Sequence, residues 1–409
     1  MPLSLLPSNA TEMTNPRMSE RRTALIGALL TTIGPVSMAV YTPAMPELVH
    51  AFATTDSAIK LSLSLYFAGF ACAQLLAGPM SDAFGRRPAT TGFLLIYLLG
   101  SLVAAFAPTI DFLLAGRLIQ GIGASVGITI SRAIVRDQFL GEQAARILNL
   151  IGIFLAVGPA AAPSIGGLAL SLSGWQAVFA LMVVFGIVAS VVTMLFMPET
   201  AVPDRRLIQP RQLFGAYGRL LRDPRVMLPA IIMAGTIGSL YAQAAMLPFI
   251  MIDRIGLTPT QFGIGMLMQS GSFFLGSLLL RVLSKRLGPQ GSVHAGFGLI
   301  AIGGTLVALS VALLEPNFLS IMGPIAFSTF GFAFISPQIT TAGLAPHPEI
   351  AGSAAALIGF IQMSAGFMGG VVAAMMGDPL AAFGTIIPAM QLVALIAYIA
   401  LTATNPIRK

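Results

Sequence analysis

Acidic residues are scarce in this chain, and none lies deep inside its long apolar runs. Asp and Glu number 15 against 22 Lys and Arg, and charged residues are 9% of the 409 positions. Soluble domains are about a quarter charged, so a soluble reading is excluded. Cys72 is the one cysteine, which rules out an intrachain disulfide or a thiolate metal site. Histidine is equally sparse: His50, His294 and His347 all fall at or beyond the ends of apolar runs. With no cluster of acid, base, nucleophile or metal ligand, no catalytic residue, metal or cofactor is expected, and the chain does not read as an enzyme. No glycine-rich phosphate loop is present, which argues against an ATP-driven pump. Met1 to Ser19 holds three prolines and no long apolar core, so it reads as a cytoplasmic tail and not a signal peptide.

What fills the chain is apolar sequence in long runs. Hydrophobic residues make up 56%, and the mean hydropathy is +0.88. A membrane helix needs about 20 such residues. Twelve candidate spans follow, at 23–46, 58–79, 89–107, 112–135, 145–170, 175–197, 226–250, 260–282, 292–313, 318–341, 350–376 and 383–403. Transmembrane strands would be about half as long and would alternate. The expected fold class is an all-α membrane protein.

The net charge of +7 is distributed by topology and does not suggest nucleic acid. If the spans alternate, the basic residues outside the membrane fall on one side, and only Lys60 and Arg254 fall on the other. Basic residues flank the cytoplasmic side of spans, so both termini are expected in the cytoplasm. The longest polar stretch, Pro198 to Pro224, divides the chain into six spans and six spans. The halves echo each other at an offset of 203 residues: Ser81 and Gly85 onto Ser284 and Gly288, Gly166-Gly167 onto Gly369-Gly370, Gly174 onto Gly377. Parallel repeats of this kind bind substrate near the midplane between halves. The expected organisation is a cytoplasmic tail at 1–22, a six-helix bundle at 23–197, a cytoplasmic linker at 198–225, a second six-helix bundle at 226–403 and a short tail at 404–409.

Several motifs sharpen this reading. Gly78-Pro79-Met80-Ser81-Asp82-Ala83-Phe84-Gly85-Arg86-Arg87-Pro88 packs charge, glycine and proline between spans 2 and 3, and is expected to be a tight loop. Span 4 reads Arg117-Leu118-Ile119-Gln120-Gly121-Ile122-Gly123, then Ser131-Arg132-Ala133-Ile134-Val135-Arg136-Asp137. Arg117 lies about 9 Å along the helix from Asp111, within the hydrocarbon, where a charge is expensive and is a functional candidate by default. Arg132 is nearer the cytoplasmic end, where an outward reach or a salt bridge is as good a reading as transport. Span 5 carries Gly158-Pro159 and Pro163 to Gly167; span 1 ends Ala39-Val40-Tyr41-Thr42-Pro43-Ala44-Met45-Pro46.

Together these residues resemble the major facilitator superfamily, and within it the Bcr/CflA-type drug-resistance transporters. The loop resembles G-x-x-x-D-x-x-G-R-R-P, span 4 resembles R-x-x-Q-G-x-G, and span 1 resembles D-x-Y-x-P-A-x-P. Ala83 replaces a usual basic residue. Ala39 replaces the acid that is the family's candidate proton carrier. The resemblance implies two six-helix bundles and export of small organic molecules across a bacterial cytoplasmic membrane by alternating access. It also implies a cytoplasmic gate in which Asp82 meets Arg136 when the outer side is open, with Arg86 and Arg87 beside it. Gly158, Pro159 and Pro163 of the antiporter motif join this gating set, although simple helix packing would use the same residues. The substrate site is expected to hold Arg117 facing the cavity, with Gln120, Tyr41, Ala39, Gln243, Gln269, Gln338 and Gln362. For the neutral groups, a helix–helix hydrogen bond is at least as good a reading as substrate contact. Expected partners are a small-molecule substrate, the lipid bilayer and protons as a candidate coupling ion, with no nucleic acid; the chain is expected to act as a monomer. The alternative is an organic-anion facilitator or exchanger without proton coupling, since Ala39 leaves Arg117 unpaired.

Overall fold

The computed structural model describes residues 16–404; of the expected tails, 1–15 and 405–409 lie outside the described residues. Among the described residues every regular element is helical. Eleven helices are long and apolar enough to cross a membrane. One of them, Pro259–Leu313, has 55 residues. At the α-helical rise it would be about 80 Å long, far beyond the roughly 30 Å of a hydrocarbon core. Gly288, at φ 66° and ψ 179°, breaks it, so it supplies spans 8 and 9 and the crossings number twelve.

The other spans are single crossings. Span 1 is Glu20–Tyr41, a 3-10 turn Thr42–Ala44 and Met45–Ala51. Spans 2 and 3 are Asp56–Phe84 and Arg86–Ala105. Span 4 is Ile110–Ala124 and Val126–Arg136, and spans 5 and 6 are Gly141–Ser173 and Trp175–Phe196. A linker helix, Pro210–Arg222, precedes span 7, Pro224–Ala244, which ends in a π-helical turn Phe249–Arg254. Spans 10, 11 and 12 are Phe318–Leu344, Ala351–Met376 and Pro379–Thr404.

The expected loop between spans 2 and 3 is shorter than the sequence suggests. Span 2 stays helical through Phe84, and Gly85 alone makes the turn, at φ 100°. The sequence signal was Pro79, which has no N–H to give the carbonyl of Leu75. The Tyr217 hydroxyl of the linker helix donates to that carbonyl at 2.7 Å, so the helix continues.

The repeat has a structural counterpart. Span 1 packs on spans 4, 5 and 6, and span 7 packs on spans 10, 11 and 12. Across the halves, span 2 meets span 11 and span 5 meets the helix of span 8. Gly85 and Gly288, and likewise Gly174 and Gly377, all take positive φ. The paired glycines also share a task. Gly166 faces Val40 of span 1 as Gly369 faces Ala242 of span 7, while Gly167 and Gly370 face the other half, at Pro259 and Ser64.

The same contacts show which side is closed. Where the end of span 5 meets the start of span 8, a Cβ on Gly167 would stand 2.4 Å from the Pro259 oxygen, and one on Gly263 2.4 Å from the Pro163 oxygen. Further along the same helices, a Cβ on Gly152 of span 5 or Gly271 of span 8 would meet nothing within 4 Å among the described residues. The first half of span 5 is accessible almost all round, with Ile147 and Ile151 its buried exceptions. The halves are therefore sealed at the end that holds Gly174 and parted at the end that holds Gly85.

Candidate transport pathway and gates

Arg117 does not face the central cavity. Its side chain is 0% exposed and lies inside the first bundle. The guanidinium sits 4.2 Å from the Tyr41 ring centroid and 4.4 Å from that of Tyr66. Ring faces carry negative potential and attract a desolvated cation. One nitrogen donates to Gln120, whose amide donates to Ser101 at 2.7 Å. The tyrosine hydroxyls are engaged elsewhere: Tyr41 with Ser62 at 2.5 Å and Tyr66 with the Gly34 carbonyl at 2.9 Å. Nε and Nη2 of Arg117 have no hydrogen-bond partner among the described residues. The physical reason for the corrected orientation is local. Ala39 offers no carboxylate, and two aromatic faces take the place of a counter-ion. Tyr41, Gln120 and Ala39 are buried in the same bundle, so these four expected substrate residues are closed off in this state.

The neutral residues of the second half are partly brought together. Gln243 on span 7 donates to Gln269 on span 8 at 2.9 Å. Gln338 and Gln362 are half-buried. Across the halves, the rings of Phe67 of span 2 and Tyr241 of span 7 meet at a tilt of 40° with centroids 5.5 Å apart. A Cβ on Gly359 would lie 2.4 Å from the Gln74 amide, so spans 2 and 11 stay in contact deeper than spans 5 and 8 do. Arg132 is accessible and has no ion pair or hydrogen bond among the described residues.

The charges at the junction of spans 2 and 3 form a compact knot within the first half. Arg86 is buried and donates to Ser81 at 2.7 Å, to Asp137 at 2.8 and 3.3 Å, and to Asp82. Asp82 thus pairs with Arg86, while Arg136 is exposed and has no ion pair among the described residues. The Asp82–Arg136 contact is expected of an outward-open form, and here the halves are parted at the end that carries both residues. Arg87 donates to the Met194 carbonyl at 2.5 Å. Gly158 packs on Thr32 and Val36 of span 1; the Pro163 carbonyl faces Gly263 of span 8. Pro159 lies within the span 5 helix.

Three residues escaped the sequence reading. Glu199 accepts from the backbone N–H groups of Arg86, Arg87, Thr200 and Ala201 at 2.8–3.1 Å. It caps the positive end of span 3, where an anion is favoured; its carboxylate also fills the space where a Gly85 Cβ would stand. Its signal was a lone acid just after span 6, opposite that helix start. Tyr217 was signalled by the carbonyl that Pro79 orphans. Lys60 was signalled by its place on the basic-poor side.

Two six-helix bundles that meet along spans 2, 5, 8 and 11, sealed at one end and parted at the other, define a secondary active transporter working by alternating access. The Major Facilitator Superfamily profile matches residues 17–370, and the chain belongs to that family. It is 30% identical over 374 residues to an uncharacterized MFS-type transporter, YdgK, of Bacillus subtilis (strain 168), covering 89% of this chain and 90% of that protein. It is 29% identical over 345 residues to a chloramphenicol resistance protein of Pseudomonas aeruginosa, covering 83% of this chain and 81% of that one. Among solved structures, a partially occluded inward-open conformation of the xylose transporter XylE from E. coli matches with a TM-score of 0.71 at 14% identity. That match covers 93% of this chain and 97% of the other, and at this identity it speaks to the fold alone.

Proposed function

We propose that this chain exports small, drug-like organic molecules from the cytoplasm of a bacterium across its inner membrane, with both termini inside. The observation that carries the reading is the space between the bundles. It opens on the side that the basic residues mark as cytoplasmic, and its neutral candidates, Tyr241, Gln269, Gln338 and Gln362, suit uncharged, partly aromatic ligands. The similarity to a chloramphenicol resistance protein supports the same substrate class. Protons are the proposed driving ion, and the monomer is the proposed working unit. The test is uptake of chloramphenicol and related neutral compounds into inverted membrane vesicles, with an imposed pH gradient and no ATP. Gradient-dependent accumulation is expected; accumulation that needs ATP, or none for any neutral compound, overturns the reading.

A second reading is exchange of organic anions without protons. Two observations favour it: Ala39 where an acid would sit, and the accessible, unpaired Arg132. Vesicle uptake of an aromatic carboxylate, indifferent to the pH gradient and lost in Arg132→Ala, supports this reading over the first.

A further inference from the structure

Span 11 ends at Met376, and its last carbonyls have no partner within their own helix, as at every helix end. Two side chains of the opposite half reach them. Ser57 of span 2 donates its hydroxyl to the Ala374 carbonyl at 2.7 Å. Lys60, one turn further on, donates from Nζ to the Gly377 carbonyl at 3.2 Å. Residues three apart share a helix face, so span 2 presents hydroxyl and ammonium together. Gly377, at φ 77°, follows the helix end, where a cation is favoured by the helix dipole.

Lys60 is fully buried and forms no ion pair among the described residues. Beyond the carbonyl, Nζ lies 5.2 Å from the centroid of the Phe249 ring, and the carboxylates of Asp56, one turn back on span 2, and Asp378 attract it through space. Phe249 and Gly377 both belong to the second half, so an ammonium carried by the first half is held by the second. Asp378, the nearby acid on the second half, is taken by Arg254 at 3.1 Å. The two basic residues on the outer side thus meet in one cluster. At the repeat-related seam, Thr260 stands for Ser57 and Gly263 for Lys60. There, Thr260 makes only contacts of 3.4 Å to Ser171 and the Gly167 carbonyl, and Gly263 closes by packing.

We propose that Ser57 and Lys60 cap span 11 in trans, and that this cap is the latch of the outer gate on the span 2–span 11 seam. Opening to the outside pulls the ammonium off a carbonyl and a ring that move with the other half. Lys60 is a gating residue that acts through span 11 and does not touch substrate. The proposal rests on the alternating-access reading, but its test needs no substrate, so failure to find a transported compound leaves it testable.

The experiment places a reporter behind the latch. Ala245, buried against Gly370, is replaced by Cys in a Cys72→Ser background. Intact cells are labelled from outside with a membrane-impermeant maleimide. Lys60→Met keeps the apolar stem and removes the charge-assisted bond, and is expected to raise the labelling rate by about tenfold or more. Lys60→Arg keeps a cationic donor and is expected to label near the wild-type rate. Ser57→Ala, which removes one hydroxyl, is expected to give a smaller increase and serves if Lys60→Met does not accumulate. Unchanged labelling in Lys60→Met, or in Ser57→Ala should the former be absent from the membrane, overturns the latch. So does labelling in Lys60→Arg as fast as in Lys60→Met, because charge would then not be what holds the gate.

Discussion

Gly167→Ala is the most informative single change at the outer seam. Its Cβ would lie 2.4 Å from the Pro259 oxygen, 2.8 Å from that residue's carbonyl carbon and 3.0 Å from the Thr260 Cα. All three atoms are backbone in the first turn of span 8, so no side chain can rotate away. Carbon contacts settle near 3.5 Å, so the helices must part by about 1 Å. Overpacking of this kind costs about 1–3 kcal/mol. The strain exists only while the outer side is closed. At about 1.4 kcal/mol per tenfold, the closed-to-open ratio should fall by roughly 5- to 150-fold. Gly370→Ala is the control, because its closest neighbour is the Ser64 hydroxyl at 2.2 Å, which can rotate, and the next atoms lie at 3.4 Å and beyond. The assay is outside labelling of Ala44→Cys in a Cys72→Ser background; Ala44 is buried in the turn that meets span 8. Gly167→Ala should label much faster and Gly370→Ala only slightly faster. Equal rates in both variants and in the parent would refute the claim that close glycine packing seals this side.

Three further outcomes follow. Arg117→Met should lower the melting temperature of the purified protein, by roughly 1–3 kcal/mol of stability from the lost ring and amide contacts. The KM for substrate should stay at its wild-type value, since Arg117 is closed off from the cavity, and Arg117→Lys should not restore stability, because an ammonium lacks the planar face that lies between two rings. Glu199→Gln should cost about 1–2 kcal/mol, read by thermal melting, because an anion at a helix start is replaced by a neutral amide. The Asp223 carboxyl is held down at about 2, first by its hydrogen bond from Arg225 and also by His347 at 2.9 Å. Its folded value lies below the ordinary 3.8, so its contribution to stability is full above that pH and is lost as pH falls through about 2. The melting difference between wild type and Asp223→Asn should therefore be flat from pH 8 to 5 and vanish only in strong acid; a difference that is already lost above pH 5 would contradict this.

The spans were legible because hydropathy over about 20 residues is a direct consequence of the bilayer. The two-bundle plan was legible through the glycine echo, since glycines at 85 and 288, or 174 and 377, are needed wherever φ turns positive. What the sequence concealed depends on partners far along the chain. Pro79 reads as a helix stop until Tyr217, a linker residue, supplies the missing donor. Glu199 reads as one more linker acid until it is seen on the amides of Arg86 and Arg87. Arg117 shows the limit most clearly. Its position along span 4 can be read from the helix rise, but position along a helix does not fix rotation. A polar residue in a span can turn to the cavity or to the interior of its own bundle, and the choice was made by the rings of Tyr41 and Tyr66.

The central claim is that one pair of seams opens as the other closes. Spin labels at Leu148→Cys and Leu278→Cys report the cytoplasmic ends of spans 5 and 8; labels at Ser171→Cys and Thr260→Cys report their outer ends, each pair in a Cys72→Ser background. Pulsed electron–electron distance measurements should find the first pair far apart and the second close in the resting protein. On adding transported compound or reversing the pH gradient, the first distance should shorten as the second lengthens. Both distances fixed, or both changing in the same direction, would contradict alternating access between these bundles.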